Sequence, residues 1–257
     1  MMSSILPVLF CVFAWWLGTG LVLRLDQSPD RMVNRNRLLF TLLAVLVVIA
    51  LFALRHTTSV WSAYVGFVGA IVLWGWLEYL YYSGCLIGPR VTECPPNLTL
   101  SKRFVYAFGA MFYRELSVAI VGISLWFLSW GSPNSVAFYT YSVLWVMRVS
   151  AELNVFFGVG YLPVEWLPDR LKYLMSYRSS DRTSPFFPMS LAIACFACFA
   201  IFLRLPPSTE AFGHTTGLLI TTLLCLAIVE HILLVVPNNG SALWAWAMNS
   251  RGLQGRT

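Results

Sequence analysis

Seven apolar stretches, each about as long as a bilayer is thick, divide this chain of 257 residues, and several still carry ionisable side chains. A helix needs about 20 apolar residues to cross ~30 Å of hydrocarbon. Leu, Ile, Val, Phe and Trp fill runs of that length at 5–23, 38–54, 60–82, 104–130, 136–160, 188–205 and 215–236. None shows the alternation of a membrane strand. The expected fold is therefore all-α, a single polytopic domain of about seven transmembrane helices over 1–257. Composition agrees: 11% of residues are charged and the mean hydropathy is +0.72, against roughly 25% charged in a soluble domain. The first stretch has no preceding Lys or Arg and no small-residue cleavage site, so it reads as a retained helix rather than a signal peptide.

The basic residues predict an orientation. Arg24, Arg31, Arg35 and Arg37 follow the first stretch. Arg90, Lys102 and Arg103 follow the third, and Arg170, Lys172, Arg178 and Arg182 the fifth. Arg251 and Arg256 lie in the tail. These thirteen fall on one side, with only Arg55 and Arg204 on the other. Cytoplasmic loops collect Lys and Arg, so the N-terminus is expected outside and the C-terminus in the cytoplasm. The net charge of +6 is then a signature of topology and of contact with anionic membrane lipid, and argues against nucleic acid.

Other motifs carry little chemistry. Cys195-x-x-Cys198 has redox or metal spacing but lies in an apolar helix without a neighbouring His, which favours packing. The pairs Trp15–Trp16 and Trp244/Trp246 read as interfacial belts. Gly18, Gly20, Gly66 and Gly69 read as sites of close helix packing.

The intramembrane charges are the informative residues: Glu78, Arg114, Glu115, Arg148, Glu152, Glu230 and His231. Each costs about 2.5–3.5 kcal/mol or more at mid-bilayer unless paired or hydrated. At a rise of ~1.5 Å per residue, the four Glu side chains fall ~6–17 Å inside the cytoplasmic ends of their helices. A shared polar cluster is geometrically open to them. Arg148 and Glu152, four apart, predict an intrahelical ion pair. Arg114 and Glu115 point about 100° apart and are expected to pair with other helices rather than with each other. Three uses compete: structural ion pairs involving Arg148, Glu152 and Arg114; a binding site in which His231 ligates a porphyrin metal; and a catalytic or transport site with a metal on the carboxylates. His56 and His214 read as solvated loop residues.

Trp74-Gly-Trp-Leu-Glu78, Gly88-Pro-Arg, Cys94-Pro and Arg103-Phe104 follow one another along the chain. Leu144-Trp-Val-Met-Arg148-Val-Ser-Ala-Glu-Leu-Asn154, Leu167-Pro168, Ser176-Tyr177, Phe187-Pro188, Glu230-His231 and Leu243-Trp-Ala-Trp246 come next. In this order and spacing the chain resembles the PuhE family, photosynthetic complex assembly proteins of phototrophic bacteria. The resemblance implies a multi-pass protein of the bacterial inner, photosynthetic membrane. It further implies help in assembling the reaction centre and core antenna, and a hand in bacteriochlorophyll supply. Implied partners are the subunits of those complexes and pigment-synthesis enzymes. On that reading His231 is the candidate axial ligand, and Glu230, Glu78 and Glu115 hydrogen-bond polar ring substituents, with no catalytic residue assigned. The chain departs from the family pattern at Arg114 and Glu152, where His and Lys are expected, and the two changes together suggest a compensated pair. The alternatives are a membrane-embedded, metal-dependent enzyme of pigment metabolism and a transporter of pigment or metal.

Overall fold

The computed structural model describes residues 2–159, 167–178, 184, 186–236 and 243–248. Gly160, Arg182, Pro237, Arg251 and Arg256 lie outside the described residues. Seven long helices make up most of the chain: α1 (Met2–Asp26), α2 (Asp30–Leu54), α3 (Val60–Tyr82), α4 (Leu100–Ser129), α5 (Val136–Phe156), α6 (Phe186–Leu203) and α7 (Ala211–Leu233). The described residues also include a short α8 (Ala245–Met248) and a 3-10 helix at Asp169–Tyr177. Of the described residues 79% are helical, and none is in a strand.

Six of the seven long helices are long and apolar enough to cross a membrane. The exception is α5, whose 21 residues include Arg148 and Glu152. Local chemistry sets several ends. Ser59 caps α3 through the backbone N–H of Ser62, and the Ser62 hydroxyl answers at the Ser59 N–H, so two orphan donors of the first turn are satisfied. Pro188 sits in the first turn of α6, where its missing N–H costs nothing. Gly158, at φ +103°, follows the end of α5. That left-handed turn stops the helix four residues short of the expected 160. In the other direction α2 starts eight residues earlier than expected. Its polar first two turns continue the helix beyond the apolar stretch.

The bundle is built around α3. Half of its apolar stretch is buried, against 11% for α2 and for α6, so α3 is the axle and those two are rim. It packs against α1, α2, α4, α5 and α7. Small residues allow the close approach: a Cβ on Gly66 would lie 2.9 Å from Val136 Cβ on α5. The core is Ala70, Leu73, Leu77, Val118, Leu125 and Tyr141 on one side of α3, and Cys11, Phe67, Val136, Leu219 and Leu223 on the other. The long apolar residues of α2, such as Leu42, Leu46, Ile49 and Phe52, are exposed, as lipid-facing residues would be.

The structure adds detail to several expectations and corrects one. The two Trp pairs meet each other. Trp15 stacks edge-on to Trp244 at 5.4 Å and Trp16 tilts against Trp246 at 5.3 Å. The Trp16 indole donates to the Leu243 carbonyl, and that of Trp244 to the Trp16 carbonyl. The tryptophans therefore fasten α8 to α1. Gly20 is needed beneath them, because a Cβ there would come 2.1 Å from the Trp246 ring. His214 is not a loop residue: it lies in the first turn of α7, with Nδ1 2.8 Å from the Pro206 carbonyl and Nε2 3.1 Å from Ser4 Oγ. Cys198 meets Cys225 on α7 at 3.4 Å rather than Cys195, and all six thiols are free.

Candidate functional site

The charges of α3, α4 and α5 converge on Arg114. Its guanidinium, 1% exposed, donates through Nη1 to Glu115 Oε1 and Glu152 Oε1, both at 2.6 Å, and through Nη2 to Glu78 Oε1 at 2.7 Å. Arg148 closes the ring from α5. Its Nε donates to Glu152 Oε1 at 2.7 Å, and its Nη2 lies 3.5 Å from Glu78 Oε2. Glu78 and Glu152 therefore each bridge both arginines. The expected Arg148–Glu152 pair is part of this ring. The expectation for Arg114 and Glu115 is corrected: they do pair with each other, because the long arginine side chain bends back across the angle between them. Arg114 also meets the two other helices, and its pairing with Glu152 is the contact that the joint departure from the family pattern suggested.

Charge-assisted bonds of this length are the strong ones. Each group that would otherwise stand unpaired in hydrocarbon has a partner of opposite sign here. The Tyr81 ring lies 5.2 Å from the Arg114 guanidinium carbon, and the Tyr141 hydroxyl closes the wall by donating to the Val118 carbonyl at 2.9 Å. Three carboxylates face two guanidiniums, so the formal charge of the ring is −1.

Glu230 and His231, expected in the same cluster, stand apart from it. His231 is 2% exposed. Its Nδ1 lies 2.9 Å from the Ala227 carbonyl and its Nε2 3.0 Å from Ser150 Oγ on α5. A carbonyl only accepts, so Nδ1 carries the proton and, in the neutral ring, Nε2 takes the serine hydroxyl. Both nitrogens are occupied and the ring is enclosed. Glu230 is exposed and accepts a hydrogen bond from the Trp15 indole at 3.0 Å.

A second polar assembly joins the segments that follow α3 and α5, and it was not legible from residue chemistry. The family-like motifs meet there. Gly88 donates its N–H to the Ala110 carbonyl of α4, and a Cβ there would come 2.2 Å from the Gly109 carbonyl oxygen. Arg90 donates to the Tyr177 hydroxyl at 2.8 Å and stacks over the Tyr106 ring at 4.2 Å. Tyr177 donates to the Thr92 carbonyl and Cys94 N–H to Ser176 Oγ. Arg37 and Arg170 donate to the Ser83 and Tyr82 carbonyls at the C-terminal end of α3, where helix carbonyls lack partners. The basic residues that predict orientation thus also cap the central helix. Asn154 ties α5 to α6 through Ser190 Oγ at 3.0 Å.

Among the described residues, no group of three or more His, Cys, Asp or Glu side chains is arranged to hold a metal ion. Glu78, Glu115 and Glu152 do converge, but on a guanidinium.

Comparison with known proteins gives two matches. The sequence profile of the family described as protein of unknown function, DUF3623, matches residues 1–254. A protein of Rhodobacter capsulatus, named as an uncharacterized 30.4 kDa protein in the puhA 5′ region, is 31% identical over 250 residues. The alignment covers 95% of this chain and 91% of that one. No solved structure matches.

Proposed function

This chain belongs to the DUF3623 family of proteins of unknown function, and from that premise we propose that it is a non-enzymatic membrane assembly factor for photosynthetic pigment–protein complexes. The single observation that carries the reading is the near full-length relative named for its place beside puhA, a photosynthesis-related region. The ordered motifs from Trp74 to Trp246 support the same direction. The protein crosses the bacterial inner membrane seven times, with its N-terminus outside. In that arrangement α5 is the seventh span, carried through the bilayer because its charges are paired with those of α3 and α4. The cytoplasmic cap around Gly88, Arg90 and Tyr177 faces the pigment-synthesis enzymes, and the exposed sides of α2 and α4 face client subunits.

Bacteriochlorophyll held on His231 does not fit this site. A macrocycle would have to displace the Ser150 hydroxyl from Nε2 and open a side chain that is 2% exposed. The rival reading as a metal-dependent enzyme needs free carboxylates, and those of the ring are taken up by Arg114 and Arg148. Assembly through protein contacts is therefore the form of the function that we favour, with pigment supply affected indirectly.

The test is affinity purification of the tagged chain from pigmented cells in mild detergent. Reaction-centre or core-antenna subunits should be recovered with it, and a strain lacking the chain should hold less of those complexes in its membranes. Recovery of none of these subunits, together with unchanged complex levels in the deletion strain, would overturn the proposal.

A further inference from the structure

Towards the N-terminal ends of α1 and α3 the bundle holds an apolar groove of about 510 Å³, within the ~300–1,000 Å³ usual for a ligand site. Leu6 and Phe10 line it from α1, Ala50 and Leu51 from α2, and Val65 and Val68 from α3. The connectivity accounts for it. α1 and α2 are joined by a short turn, yet each packs along α3 rather than along the other, which leaves a gap between them with α3 as its floor. Phe10 meets Tyr64 edge-on at 4.8 Å and holds α1 to that floor. Gly69 brings α2 in: a Cβ there would lie 3.0 Å from Leu51 and 3.2 Å from Val47.

The lining selects the occupant. No residue that lines the groove is charged, so an ionic or strongly polar ligand would lose its hydration there without a partner. The groove follows α3 from Trp61 to Gly69, about 12 Å at ~1.5 Å per residue. One leaflet's hydrocarbon is about 15 Å deep, so the two lengths are close. Trp61 and Tyr64 lie in the first two turns of α3, the level at which amphipathic rings meet lipid headgroups. A long apolar site with its aromatic end at the headgroups matches a lipid tail lying beside the helices. A partner helix suits it less. Helices associate in lipid through small residues that let backbones come close. Gly69 is already covered by α2, and the side chains of Leu6, Phe10 and Trp61 would hold another backbone away.

We propose that this groove is a lipid site, which holds one acyl chain of a phospholipid from the leaflet at the N-terminal ends of α1 and α3. The acyl chain packs between α1 and α2 and stabilises the folded bundle, as any ligand bound to the native state does. The inference requires that these helices lie in a bilayer and is independent of the assembly reading.

The test is native mass spectrometry of the full chain, exchanged in mild detergent with long-chain phosphatidylcholine. One phosphatidylcholine should stay bound per chain and should raise its Tm. Ala50→Phe and Val65→Phe fill the groove from two different helices. Each should cut retention about tenfold, equivalent to ~1.4 kcal/mol, and abolish the rise in Tm. Val45→Phe, at a 52% exposed position of α2 outside the groove, should change neither. Circular dichroism confirms that each variant is folded, and either filled variant alone decides the matter. Phosphatidylglycerol should be retained as well as phosphatidylcholine, because the tail makes the contact. No retained lipid, retention that survives filling, or retention that follows the headgroup overturns the inference. Displacement by a prenyl alcohol at equal concentration would assign the groove to branched tails, and a second copy of the chain bound in place of lipid would assign it to a dimer. Either result also overturns the inference.

Discussion

Arg114 and Glu230 are charged groups on neighbouring parts of one bundle, and they are handled in opposite ways. Arg114 is 1% exposed and gives three short bonds to carboxylates on three helices. Glu230 is exposed and has an indole N–H for its hydrogen bond. The first arrangement is a closed knot, and changing any member strands the others. The second is a single hydrogen bond, where a change strands only the Trp15 indole. The same residue types can therefore be locked into a network in one place and held by one bond a few turns away. Pairing and exposure distinguish them.

The knot should break most severely at its centre. Arg114→Met removes the shared cation and leaves three carboxylates facing one another, a loss of about 3–5 kcal/mol or more. Immunoblots of membranes should show the variant nearly absent. Packing at the axle comes next. Gly66→Leu forces a side chain into Val136 and the Ala137 backbone of α5, at a cost of about 1–3 kcal/mol, visible as a lower Tm in detergent. His231→Ala removes the bond to Ser150 and costs about 1 kcal/mol. It should leave unchanged whatever pigment co-purifies, and a stoichiometric pigment lost in this variant would refute the reading of an enclosed ring. Glu230→Gln should be the mildest, under ~1 kcal/mol in stability because an exposed charge is well solvated. A Tm drop as large as that of Gly66→Leu would mean that Glu230 belongs to the knot after all.

Much of the bundle could be read from hydropathy. The ends of α3 are as expected, because a capping Ser59 and an unbroken apolar run to Tyr82 define them locally. The Arg148–Glu152 pair was legible because four-residue spacing fixes two side chains on one helix face. The convergence of Glu78, Arg114 and Glu152 was not, since the rotational phase of three helices is set by tertiary packing. The start of α2 was hidden because its polar turns look like loop. The contact of Trp244 and Trp246 with α1 was hidden because nothing local says that the chain returns there after α7. Glu230 and His231 looked equivalent as adjacent polar residues. The 100° step between them sends His231 to Ser150 and Glu230 to Trp15.

The sharpest test of the knot is a charge exchange between α4 and α5. Arg114→Glu and Glu152→Arg are made singly and together, and membrane accumulation of each is measured beside the unmodified chain. Because Arg114 and Glu152 touch at 2.6 Å, the double variant restores a cation to the centre of the ring and should accumulate well above either single variant. Equal loss in all three would contradict the account, because the two residues would then be acting independently rather than as partners.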